Sequence, residues 1–260
     1  MTTASMDTPT IDIALSAPVN LRDLGGIPID GGVLRHGLAI RTDDLAYVTA
    51  EVVDELVDAG LTAIIDLRSP AEVAATGRGP FGERALGYHH LPLIANVADS
   101  MTADAPDLSH EGMAKMYVRM VETAAPQLVT ALNVIAYTPG ATAFHCAAGR
   151  DRTGVLAAML LLVLGANDDD IVADYTRTGE NMVAIMQRTA PVMGAMWRAL
   201  GFEPDAREAS SRLLEGSMEV SMRSLLTTLR ERHGDALAPL RAAGLSDDTI
   251  ARLRERALAA

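Results

Sequence analysis

Three mostly apolar runs of strand length punctuate the chain: TAIIDL at 62–67, YHHLPL at 88–93 and ATAFHC at 141–146. Between and after them, apolar positions recur at helical spacing. Strands that are apolar on both faces must be covered on both faces, and the intervening helices supply the cover. The pattern predicts an α/β fold with a mainly parallel central sheet flanked by helices. The chain has 260 residues, 49% of them hydrophobic, which is ample for a sizeable core. Only 3% are aromatic, so that core must be built mostly from Ala, Leu, Val, Ile and Met.

Local punctuation supports this layout. GIPIDGGVLRHG (26–37) reads as a hairpin with Asp30, Gly31 and Gly32 at its turn, and LAIRT follows as a short strand. Thr49 is placed to cap a helix that ends at Gly60. In SPAE, Ser69, Pro70 and Glu72 have the spacing of a capping box with proline in the first turn. Two helices are predicted over 113–124 and 126–137, and everything from Pro204 onward reads helical, with Ser246 capping the last helix. We expect a flexible tail at 1–18 and one domain over 19–260. Within it, the polar stretch opening 94–125 is a candidate lid, 179–200 a helical cover and 204–260 a helical extension. Met182, Met186, Met193, Met196 and Trp197 in the cover read first as packing and second as an adaptable lining for apolar substrate groups.

Formal net charge is −12, which opposes nucleic acid and anionic lipid in general and confines any affinity for a phosphorylated ligand to a local site. The longest apolar run, Val155–Leu164, is too short to span a bilayer and reads as a buried helix. One cysteine precludes an internal disulfide, and no Cys/His spacing suits a structural metal. With no apparent signal peptide, a cytoplasmic setting is expected.

The single cysteine, Cys146, lies in FHCAAGRDRTGV, at the junction of a strand run and a helix run. A strand–loop–helix junction of this kind turns successive amides of residues 147–151 around an anion-sized nest and aims the positive end of the helix at it. A thiol there is favoured as thiolate. Arg152 can curl back to offer a planar fork to two oxygens of an oxyanion. Thr153 can donate to the sulfur when it departs, and Gly149 and Gly154 relieve crowding. Nucleophile, cradle and clamp together suit phosphoryl transfer through a cysteine.

HCAAGRDRTG resembles the Cys-x5-Arg-Ser/Thr signature of the protein tyrosine phosphatase superfamily, and more narrowly the HCxAGKDRTG loop of its atypical bacterial tyrosine and dual-specificity members. NLRDLGG (20–26), IIDLRSPAEV (64–73), IVADYTRTGENM and LRAAGLSDDTIARLRERAL resemble further segments of that family. The resemblance implies a metal-independent phosphomonoester hydrolase without cofactor that works through a cysteinyl-phosphate. Its substrate would be a phosphorylated protein, with a phospholipid (phosphoinositide) substrate as the alternative, and no stable membrane insertion. It implies Cys146, Arg152 and Asp151 as catalytic residues. Ala147, Ala148, Gly149, Arg150, Asp151 and Arg152 would bind phosphate, and His145 and Thr153 would support them. Two departures stand out. The family's loop lysine is Arg150 here, either a substrate-selecting group or a solvated arginine. The aspartate some relatives carry after the strand matching HLPL is displaced, leaving Asp151 and then Asp99 as general-acid candidates. Asn20, Arg22 and Asp23 are expected to tie the N-terminal segment to the loop, and Asp66 and Arg68 to orient backbone. A non-catalytic phosphate-binding module and a rhodanese-like sulfurtransferase are the competing readings.

Overall fold

Five strands form the main sheet in the order β1-β4-β7-β5-β6. They are β1 (Arg22–Asp23), β4 (Ala39–Thr42), β5 (Leu61–Asp66), β6 (Gly87–His90) and β7 (Ala141–His145). All are parallel except β1, which pairs antiparallel at the edge. The hairpin at 26–37 forms separately from β2 (Pro28–Ile29) and β3 (Gly32–Val33). The computed structural model describes residues 14–95, 107, 109–199 and 216–258.

Side chains alternate across the sheet as the pleat requires. Ile40, Ile64 and Ala143 pack on one face with Val53 and Leu56 of helix α1 (Ala50–Asp58). Ala39, Ile65 and Phe144 pack on the other, larger layer. That layer holds α3 (His110–Thr123), α4 (Ala125–Tyr137), α5 (Asp151–Leu164) and α6 (Asp168–Thr176). Its centre is α5, apolar and buried nearly all round, which ends at Gly165 in the left-handed region (φ 82°). α2 (Pro70–Thr76) starts with the expected capping box: the Ser69 side chain accepts from Glu72 N, and the Glu72 side chain accepts from Ser69 N. Thr49 occupies the N-cap of α1, but its hydroxyl makes no capping hydrogen bond.

Three expectations change. The C-terminal helices, expected as an extension packed against the domain, are part of its main core. α8 (Met218–His233), α9 (Ala238–Ala242) and α10 (Asp247–Leu258) pack on α3, α4, α5 and α6. Met222, Leu225, Leu226 and Leu229 of α8 are wholly buried, and each contributes roughly 1.5–3 kcal/mol by leaving water. Ser246 caps α10 by accepting from Thr249 N at 3.1 Å. Second, much of the expected lid at 94–125 is α3, whose Met113, Tyr117, Val118 and Val121 are buried in the same core. The helix expected over 113–124 is this one, starting three residues earlier. Residues 96–106 and 108, Asp99 among them, lie outside the described residues, as do 1–13 and 200–215. Third, the tail is anchored by residue 16: Ser16 N donates to Tyr47 O at 2.9 Å, and Arg188 Nε donates to Ser16 Oγ at 2.9 Å. The cover segment is one helix, α7 (Thr178–Ala199), with Pro191 inside it and Met182, Ile185 and Val192 buried.

Candidate active site

The carboxyl ends of β4, β7 and β5 lie side by side, and in open parallel sheets this is where ligands are taken up. β7 runs out at His145, residues 146–150 turn sharply, and α5 begins at Asp151. The turn is possible because Gly149 takes φ 67°, and a Cβ there would sit 2.5 Å from Thr42 O. Gly154 is needed for close approach as well, since its Cβ would lie 2.9 Å from the Tyr175 ring.

Outside partners hold every carbonyl of the turn's crown. Asp44 N donates to Ala147 O at 3.1 Å. Asn20 Nδ2 donates to Ala148 O at 3.4 Å and to Gly149 O at 3.1 Å, and Arg41 Nη2 donates to Gly149 O at 2.9 Å. Across a trans peptide the N–H points opposite to the preceding C=O. The amides of Ala148, Gly149 and Arg150 are therefore turned into the loop's interior, the arrangement of an anion nest. This backbone geometry also explains NLRDLGG. Asn20 grips the loop directly, and Arg22 Nη1 donates to Asn20 Oδ1 at 2.7 Å. Arg22 and Arg41 share Asp174, at 2.8 and 2.5 Å, with all three side chains buried. Burial, then the neighbouring Arg41 charge, lowers Arg22 to about 10 against the pull of Asp174. Asp23 works elsewhere: it accepts from Gly25 N and Gly37 N, both at 2.6 Å, and closes the turns before β4.

Cys146 is 1% exposed and is the free thiol among the described residues. Arg152, at 11% side-chain exposure, is held in a bidentate pair by Glu72: Nη1 to Oε2 at 2.5 Å and Nη2 to Oε1 at 2.8 Å. Burial would raise Glu72, but Arg152 and the Ser69 hydrogen bonds outweigh it and hold the carboxyl at about 2. Burial works to lower Arg152, but the Glu72 charge prevails and raises it above its ordinary value. Thr153 Oγ1 is buried and has no hydrogen-bond partner among the described residues, which leaves a donor uncommitted beside the loop.

His145 sits between two buried carboxylates, with Nδ1 3.6 Å from Asp44 Oδ1 and Nε2 3.7 Å from Asp66 Oδ2. Arg68 bridges the same pair, with Nη1 on Asp44 Oδ2 at 2.9 Å and Nη2 on Asp66 Oδ2 at 2.6 Å. Burial raises Asp44. It also works to raise Asp66, but His145 and Arg68 prevail there and hold Asp66 below the usual carboxylate range. His145 Nδ1 also lies 3.3 Å from Cys146 O, so this charged cluster braces the backbone on which the thiol rides. Arg188 fastens α7 nearby: it donates to Asp43 Oδ2 at 2.6 Å and lies over the Tyr47 ring, 4.2 Å from its centroid.

Arg150 is not a solvated arginine: it is 2% exposed and faces Asp151, Tyr117 and Tyr175. Asp151, at 26% side-chain exposure, accepts a hydrogen bond from the Tyr117 hydroxyl through Oδ1. The site roles of Glu72, Arg41, Asp174, Tyr117 and Tyr175 escaped the sequence reading because they depend on contacts 34 to 152 residues apart. One signal was present. In a chain with five tyrosines, those inside apolar helical stripes must find partners for their hydroxyls.

Several known proteins have similar sequences. The profile of the tyrosine phosphatase family matches residues 13–259. A Cupriavidus necator protein named as a tyrosine-protein phosphatase is 31% identical over 216 residues, covering 80% of this chain and 77% of its own length. The Mycobacterium tuberculosis protein named triple specificity protein phosphatase PtpB is 26% identical over 254 residues, covering 85% of this chain and 91% of its own. A Nostoc commune tyrosine-protein phosphatase is 30% identical over 140 residues, 52% of this chain and 46% of its own. With the family profile matching residues 13–259, this chain belongs to the tyrosine phosphatase family.

Proposed function

We propose that the protein hydrolyses phosphomonoesters at the Cys146 loop, with phosphotyrosine in protein as its first substrate. The observation that carries this reading is the strand–helix junction whose loop holds the Cys146 thiol and the inward amides of residues 148–150, with Arg152 six residues on and oriented by Glu72. The amides and Arg152 bind the non-bridging oxygens of the phosphoryl group, where charge spreads in the transition state. The Cys146 sulfur attacks phosphorus, and the S–P bond forms as the P–O bond to the leaving oxygen breaks. Asp151 gives its proton to that oxygen, so the product departs as a neutral phenol or alcohol. In the second half, Asp151 takes a proton from water, whose oxygen attacks phosphorus. The S–P bond then breaks, inorganic phosphate leaves, and the Thr153 hydroxyl is available to the departing thiolate.

Turnover of an aryl phosphate in the presence of a chelator tests this. Loss of turnover in Cys146→Ser, with an unchanged melting temperature, is the expected result. Retained activity in that variant, or a metal requirement, overturns it. Tight phosphopeptide binding by the intact protein with no turnover would instead identify a binding module. The breadth in the name of the Mycobacterium tuberculosis relative favours a second, wider reading that includes phosphoserine and phosphothreonine, and phosphoinositides belong in the same assay panel. Arg150 does not argue for selection of a second phosphate, because its guanidinium is buried against Asp151 and the tyrosines. No helix among the described residues is long and apolar enough to cross a membrane.

A further inference from the structure

Two buried tyrosines from different helices meet at Asp151. Tyr117 of α3 donates its hydroxyl proton to Asp151 Oδ1, and its oxygen lies 2.7 Å from the hydroxyl of Tyr175 of α6. Their rings pack edge to face, with centroids 6.1 Å apart and planes at 79°, and neither ring is exposed to any useful extent. The Arg150 guanidinium lies beside the acid itself, with Nε 3.6 Å from Asp151 Oδ1. Burial raises both phenols, Tyr117 well above its ordinary value, so both remain proton donors through any assay range.

The direction of this chain follows from proton counting. A phenol has one proton to give, and a guanidinium has donors and no acceptor. Tyr117 spends its proton on Asp151, so it must accept from Tyr175. Reversal would require Asp151 to carry its proton on Oδ1, 3.6 Å from a guanidinium nitrogen that can donate but cannot accept. Arg150 therefore sets the polarity of the whole series from the Asp151 end.

We propose that Arg150, Tyr175 and Tyr117 are positioning residues that keep Asp151 Oδ1 an acceptor, so that the proton Asp151 transfers is carried on Oδ2. This rests on the reading of Asp151 as the general acid, and it gives a physical use to the arginine that replaces the family's loop lysine. Either cation is donor-only, so either fixes the polarity. A neutral amide there, which both donates and accepts, does not.

The test compares 2,4-dinitrophenyl phosphate, whose leaving group needs no proton, with phenyl phosphate, whose leaving group does. Tyr117→Phe and Tyr175→Phe are each expected to lower kcat on phenyl phosphate at least tenfold while lowering it no more than about threefold on the dinitrophenyl ester. Arg150→Gln should show the same split, and Arg150→Lys should largely restore phenyl phosphate turnover. Equal losses on both esters, or no loss on either, overturn the proposal, as does a Gln variant that behaves like the Lys variant. Tyr175→Phe leaves Asp151's own contacts in place, so it remains informative if Tyr117→Phe melts too low to assay. Asp151→Asn separates this idea from the reading beneath it. If that variant shows no leaving-group split, the acid lies elsewhere and the assignment of Asp151 fails, whatever the tyrosine variants do.

Discussion

Replacing Glu72 with Gln removes one charge from the pair that holds Arg152 while preserving side-chain shape and an oxygen able to accept from Ser69 N. The substitution therefore isolates the ion pair from the helix cap. Glu72 titrates at about 2 in the folded protein against an ordinary 4.5. A depressed carboxyl contributes stability that is fully present above the unfolded value and is lost as pH falls toward the folded one. For a displacement from 4.5 to about 2, that contribution is about 3 kcal/mol at neutral pH. The same figure sits at the lower end of what leaving a buried charge unpartnered costs, about 3–5 kcal/mol. Urea unfolding of wild type and Glu72→Gln at a series of pH values is the assay. The gap should be about 3 kcal/mol at pH 7 and should narrow steadily between pH 5 and pH 2. At neutral pH, kcat/KM on an aryl phosphate should fall about 100-fold, because an Arg152 fork displaced by an ångström no longer meets the transferring phosphoryl group. Stability curves that stay parallel from pH 7 to pH 2, or unchanged kcat/KM, would refute the reasoning.

Gly149→Ala places a Cβ 2.5 Å from Thr42 O at a φ of 67°, a strain of about 1–3 kcal/mol. Calorimetry should show a lower melting temperature, and the distorted amide nest should lose phosphate-analogue affinity as measured by titration with vanadate. Asp174→Asn leaves Arg22 and Arg41 facing each other without their shared carboxylate, and should cost about 3–5 kcal/mol in denaturant unfolding. A wild-type midpoint in that variant would show that the two arginines find other partners.

Much of the framework was readable along the chain because it depends on neighbours. The capping box at Ser69 and Glu72, the hairpin turn at Asp30, the Ser246 cap and the cysteine loop are set by residues within a few positions of each other. The C-terminal helices were readable as helices but not as core, since Leu225 or Leu253 looks the same in sequence whether it covers a neighbouring helix or the sheet's main layer. The lid expectation at 94–125 failed over α3 for a related reason: composition describes polarity on average, whereas burial selects one face.

By itself, the amino-acid sequence determined the α/β alternation and the place of the cysteine loop, because strand, glycine turn and helix start are contiguous there. Only the tertiary structure decided what the charges around that loop do. It revealed that Glu72, legible as a helix cap, also holds Arg152 from 80 residues away. It turned Arg150 inward, and it brought Tyr117 and Tyr175 from separate helices onto Asp151. Charges and hydroxyls act across a few ångströms of space, and a distance of that kind is set by packing rather than by separation along the chain.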